Sequence, residues 1–140
     1  MSTTTRAGGF ALTAGIVELT LTTALIHASL GGLLFTLNAA GYLALAAALV
    51  AAATIPHPLV RRFGWMPRIA LAAYTVVTIV GYVVMGPYFV LGWVTKAIEV
   101  AIVTLVAADL IRLHGTPGGL RRAIADAFRR QGAPGSLPAR

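Results

Sequence analysis

Four apolar runs, each close to the length of one bilayer crossing and separated by glycine and proline breaks, leave this chain of 140 residues few ways to fold. Crossing a hydrocarbon core of ~30 Å takes about 20 apolar residues in a helix. The runs cover about residues 10–30, 33–55, 67–85 and 88–113. Gly31 and Gly32 separate the first two, and Pro56 and Pro58 end the second because proline cannot donate a backbone hydrogen bond. Pro67 suits the first turn of the third helix, and Gly86 with Pro87 turns the chain into the fourth. The expected class is all-α: a polytopic membrane protein of four transmembrane helices arranged as two hairpins, with a short amphipathic helix at the C-terminal end.

Composition agrees. The chain is 58% hydrophobic and 11% charged, too little polar surface for a water-soluble domain of this length. Cysteine is absent, which excludes a disulfide framework, a thiolate metal site and a cysteine nucleophile. The first run has Arg6 before it, as a signal peptide would. It is long for a cleaved segment, however, carries Glu18 and lacks an A-x-A site, so it reads as an uncleaved span.

The net charge of +7 raises the question of nucleic acid, and the placement of the arginines answers it. Arg6, Arg61, Arg62, Arg68, Arg112, Arg121, Arg122, Arg129, Arg130 and Arg140 all fall on one side of a four-span chain. The two tight turns on the other side carry no lysine or arginine. The positive-inside rule then puts the tail at residues 1–9, the middle loop and the basic tail at 114–140 in the cytoplasm, with the chain in the cell (inner) membrane. The partner this implies is the lipid bilayer rather than nucleic acid, with Arg61, Arg62, Arg121, Arg122, Arg129 and Arg130 facing anionic headgroups. Thr116 and Pro117 can start a helix over about 117–131, where Leu120, Ile124 and Phe128 recur at spacing four between arginines. Trp65 and Phe63 on one side, and Tyr88, Phe89 and Trp93 on the other, fit interfacial aromatic belts. On the second span Ala40, Ala44, Ala48 and Ala52 form a ridge of small residues suited to tight packing, and Ala97 and Ala101 form a shorter one on the fourth.

The polar residues inside the spans are the candidate site. A charge at the centre of a bilayer costs ~2.5–3.5 kcal/mol on insertion scales, so Glu18, Lys96 and Glu99 need a reason. Lys96 and Glu99, at spacing i, i+3, share a face of the fourth helix. Counted at ~1.5 Å per residue from the turn side, Lys96 lies ~10 Å deep, Glu99 ~15 Å and Glu18 ~18 Å. If the first and fourth helices are neighbours, two carboxylates and one ammonium share a dry site. Thr22 lies one turn from Glu18, and Asn38, at ~7–8 Å, lies near the level of Lys96. Asp109 near the arginine end reads as a solvated acid paired with Arg112. His27 faces away from Glu18, nine residues on and ~180° round the helix. Neither His27 nor the pair His57 and His114 has ligand spacing for haem or metal. No cofactor is named by these residues.

No phosphate loop, nucleophile elbow or triad is present, and Ser29 and Ser136 lack a base, so no enzyme is expected. A four-span chain with a glutamate in its first helix, here Glu18 in GIVELTLTT, resembles small multidrug-resistance transporters. That resemblance implies exchange of protons for cationic substrates through Glu18. The aromatic pattern of that family's third helix is absent, and Lys96 beside Glu99 opposes a bound cation. The expected function is a non-catalytic subunit of a larger membrane complex, or a homo-oligomer, with the Glu18, Lys96 and Glu99 cluster fixing helix contacts. The alternative is a small proton-coupled transporter using Glu18 and Glu99 as midplane carboxylates.

Overall fold

The computed structural model describes residues 3–129, with side chains from Gly8 onward. The readings placed on the Arg6 side chain and on residues 130–140, Arg130 and Arg140 among them, lie outside the described residues. Six helices follow in order: α1 (Thr3–Leu30), α2 (Leu33–Thr54), α3 (Pro58–Phe63), α4 (Met66–Met85), α5 (Val90–His114) and α6 (Pro117–Arg129). Four of them, α1 from Gly8 onward, α2, α4 and α5, are long and apolar enough to cross a membrane.

The breaks follow local chemistry. Gly31 and Gly32 both take positive φ, 70° and 82°, which lets the chain reverse between α1 and α2 in two residues. Ile55 is extended, as the residue before a proline must be, and α2 stops there. The loop that follows holds a helix the sequence reading lacks. His57 caps α3, its Nδ1 accepting from the Leu59 amide at 3.3 Å, with Pro58 at the first helical position. α6 starts as expected: Thr116 Oγ1 accepts from the Gly119 amide at 3.1 Å.

The spans form a four-helix ring. α1 packs on α2 and α5, and α4 packs on α5 and α2, so both hairpins are closed and the first and last spans are neighbours. Within lipid, helices gain nothing from hiding apolar surface and associate through close packing and hydrogen bonds. The inward positions follow a seven-residue repeat in every span. They are Thr13, Ile16, Thr20, Thr23 and His27 on α1; Ala39, Tyr42, Ala46 and Leu49 on α2; Arg68, Leu71 and Thr75 on α4; and Gly92, Thr95, Glu99, Ile102, Val106 and Asp109 on α5. Alternating steps of three and four are the spacing of left-handed supercoiled bundles.

This seam corrects the packing expected of the alanines. Ala40, Ala44 and Ala97 are exposed, and Ala48, Ala52 and Ala101 are only half-buried. The close approach on α2 uses Ala39 and Ala46, one and two residues away from the ridge, because Tyr42 must face the centre to reach α4. Below the bundle, α6 buries Ala127, whose carbonyl accepts from Arg62, and Phe128 meets Phe63 edge-on at 6.2 Å.

Candidate functional site

All four spans send side chains to a single polar node, α5 two and the others one each. Tyr42 on α2 meets Thr78 on α4, oxygen to oxygen, at 2.8 Å. Thr78 Oγ1 lies 3.1 Å from Glu99 Oε2 on α5 and 2.8 Å from the Thr75 carbonyl. Thr78 has one proton and gives it to one of those acceptors, so Tyr42 donates to Thr78. Lys96 donates to Glu99 Oε2 at 2.5 Å and to the Thr78 carbonyl at 3.3 Å, with its ammonium 5.4 Å from the centre of the Tyr82 ring. From α1, His27 Nε2 comes to 3.8 Å from the other Glu99 oxygen. Glu99 has no exposed surface, while His27 and Lys96 are 4% and 7% exposed.

The histidine geometry fixes which atom can take up a proton. Nδ1 lies 2.8 Å from the Thr23 carbonyl, an acceptor only, so Nδ1 carries the hydrogen of the neutral ring. Nε2 then presents a lone pair toward Glu99 Oε1, itself without a hydrogen-bond donor. Two acceptors face each other about 1 Å beyond hydrogen-bond length. One proton between them turns that gap into a charge-assisted contact.

Three members of the node, His27, Thr78 and Lys96, line a cavity of about 300 Å³ at the end of the bundle that carries the tight turns, with Glu99 and Tyr42 behind them. His27, Asn38, Thr78, Thr95 and Lys96 supply its polar atoms, and residues such as Phe35 and Val77 its apolar wall. Gly81 faces it with open space where a side chain would stand. The Asn38 carboxamide oxygen accepts from Tyr74 at 2.7 Å, which ties α2 to α4 and leaves the amide nitrogen available. Asn38 thus shares the cavity with Lys96 without bonding to it.

Three sequence expectations change. Glu18 does not join Glu99. It is exposed on the outer face of α1, midway between the inward Ile16 and Thr20, and His27 on the opposite face reaches Glu99 in its place. The residue that carries the resemblance to multidrug transporters therefore points out of this bundle. Thr22 follows Glu18, its hydroxyl donating to the Glu18 backbone carbonyl at 2.9 Å. Asp109 is not solvated: it has no exposed surface and accepts from Arg68 Nε at 2.7 Å and from Arg112 Nη2 at 2.7 Å. Arg68, counted among the basic residues of the loop, is 5% exposed and also donates to the Gly64 carbonyl. Among the headgroup arginines, Arg61, Arg121, Arg122 and Arg129 are exposed, and Arg62 is half-buried against α6.

His27, Tyr42 and Thr78 were missed as site residues, although a signal was present. In apolar spans the seam is marked by polar residues at alternating steps of three and four, and Thr13, Thr20, Thr23 and His27 trace it. Comparison with protein-family models, curated proteins and solved structures gives no match.

Proposed function

We propose that this chain is a small proton-coupled carrier that binds an organic molecule in the cavity at the turn end. The observation that carries this reading is that His27 and Lys96 line the cavity, with Nε2 of His27 facing the buried Glu99 carboxylate at 3.8 Å behind the wall. A volume of about 300 Å³ with mostly apolar walls and a few converging polar groups is the usual form of a small-molecule site. Lys96 is already neutralised by Glu99, so the site offers no net charge to a bound ion and favours a neutral, partly apolar molecule. Proton arrival at the His27–Glu99 gap alters the charge beneath that molecule, and binding and protonation become linked. The midplane carboxylate of the mechanism is Glu99, with His27 as its partner in the role first given to Glu18. The protein acts without covalent catalysis. It sits in the cell membrane with both termini cytoplasmic, and Arg61, Arg121, Arg122 and Arg129 contact anionic headgroups.

Gly81→Leu tests this reading, because it fills the cavity where the wall leaves room. Molecules extracted from the purified wild type and lost from the variant are the occupants, identified by mass spectrometry. The same molecules should move into proteoliposomes under a pH gradient, and His27→Gln should abolish the dependence on that gradient. An identical set of extracted molecules from both proteins would end the proposal.

A second reading rests on the node itself. Lys96 and Glu99 on α5, Thr78 on α4 and Tyr42 on α2 are joined by hydrogen bonds, and His27 on α1 faces them at 3.8 Å from Glu99. That is what a non-catalytic subunit of a larger membrane complex needs to hold its contact surfaces in register. Isolation from native membranes with a stoichiometric second protein, and without a lost molecule in the Gly81→Leu comparison, favours this reading.

A further inference from the structure

The bundle gives Glu18 nothing to do. Its side chain is exposed, and its carboxylate makes no hydrogen bond or ion pair among the described residues. It is the eleventh of the 23 residues of the apolar stretch Gly8–Leu30, so it stands about 15 Å from one end and 18 Å from the other, near the midplane. A carboxylate facing hydrocarbon there is costly. The chain cannot relieve that cost itself, since Lys96 is turned inward and committed to Glu99. No other ionisable side chain is exposed at this depth on any of the four spans among the described residues.

We infer that the outer face of α1 bearing Glu18 is where a second copy of this chain docks, with the two Glu18 carboxyls in contact across a twofold axis normal to the membrane. Copies inserted in the same orientation place Glu18 at one depth, so a twofold interface brings like to like without further adjustment. Two carboxyls in contact share a proton, because neighbouring like charges in a dry site do not both ionise. A glutamate is therefore self-complementary where a lysine would not be. Such a contact needs the two α1 backbones close together. The positions beside Glu18 permit that: Ala11 and Ala14 are exposed, and a Cβ built on Gly15 meets nothing within 4 Å. Thr22, the next residue on this face, satisfies its hydroxyl on its own helix and does not compete for the carboxyl. His27 and the cavity lie on the opposite side of α1, so the interface is independent of the proposed transport reading.

The absence of cysteine makes the test clean. In the full chain reconstituted in liposomes, Ala14→Cys should form a disulfide-linked dimer on oxidation, and Val80→Cys on the outward face of α4 should not. Association measured by energy transfer between labelled copies, as lipid dilutes them, should weaken about tenfold in Glu18→Leu, equivalent to one good interhelical hydrogen-bonded contact. Glu18→Gln, whose carboxamide can still pair, should retain it. Glu18→Leu keeps its fold because the side chain touches nothing inside the bundle, and helical content by circular dichroism verifies this. Unchanged association of Glu18→Leu would overturn the inference. So would cross-linking through Val80→Cys instead of Ala14→Cys, or capture of a different protein by Ala14→Cys in native membranes.

Discussion

Lys96 and Glu99 stand in an apolar helix because three other helices meet them there. The ammonium is shared between a carboxylate and a carbonyl, and the carboxylate between a lysine and a threonine, with a histidine facing its other oxygen at 3.8 Å. Removing one member of a buried pair strands the other, at a cost of about 3–5 kcal/mol. Lys96→Ala and Glu99→Gln should therefore each destabilise the bundle strongly. The double variant should lose less than the sum, as reversible unfolding in bilayers would show. Tyr42→Phe should cost about 0.5–1.5 kcal/mol in the same assay, the worth of one hydrogen bond, through the loss of its donation to Thr78. The pairing of Lys96 with Glu99 was legible from their spacing. The identity of the third partner was not: by depth Glu18 lies nearer the level of Glu99 than His27 does, and only the rotation of α1 turns Glu18 out and His27 in.

At the scale of elements, the spans are so uniformly apolar that no hydrophobic stripe marks an inside. The seam is written instead in residues that would be poor choices for facing lipid: threonines, histidine and tyrosine, and glycines that admit a neighbour. Gly41 lies under the Tyr74 ring and Gly92 under Tyr82, where any Cβ would collide. Gly41→Val should push Tyr74 off its Asn38 acceptor and destabilise the α2–α4 contact by about 1–3 kcal/mol. Gly81→Ala, facing open space, should be neutral or favourable by up to about 1 kcal/mol, since alanine is the better helix former. Unfolding of both variants side by side separates a glycine required by packing from one that is not. The alanine ridge on α2 misled for the same reason. Small-xxx-small spacing identifies a surface suited to close approach, and the bundle uses the adjacent face.

For the molecule as a whole, the even number of spans places both ends of the bundle core on one side, and Arg61, Arg62, Arg68, Arg112, Arg121, Arg122 and Arg129 lie toward that side. Leu33→Cys, at the turn end, should react with a membrane-impermeant maleimide added outside intact cells. Arg61→Cys should react only after the membrane is opened. The opposite pattern would invert the proposed orientation. The arginine end is also locked more firmly than its composition indicates. Asp109 joins Arg68 of α4 to Arg112, whose guanidinium occupies the space beside Gly9 of α1. The turn end is left with a cavity.

The sequence by itself determined the four helices of membrane-crossing length, their breaks and the start of α6. Each of these depends on local chemistry: run length against bilayer thickness, proline and glycine at the turns, and a capping threonine. Only the tertiary structure decided what faces what. The rotation of each helix about its axis turned Glu18 outward and His27 inward, buried Asp109 with Arg68, and put Ala40 and Ala44 on the outside. That rotation is set by the simultaneous fit of four seams, Tyr42 to Thr78 to Glu99 to His27, and no single span carries enough asymmetry to fix it alone.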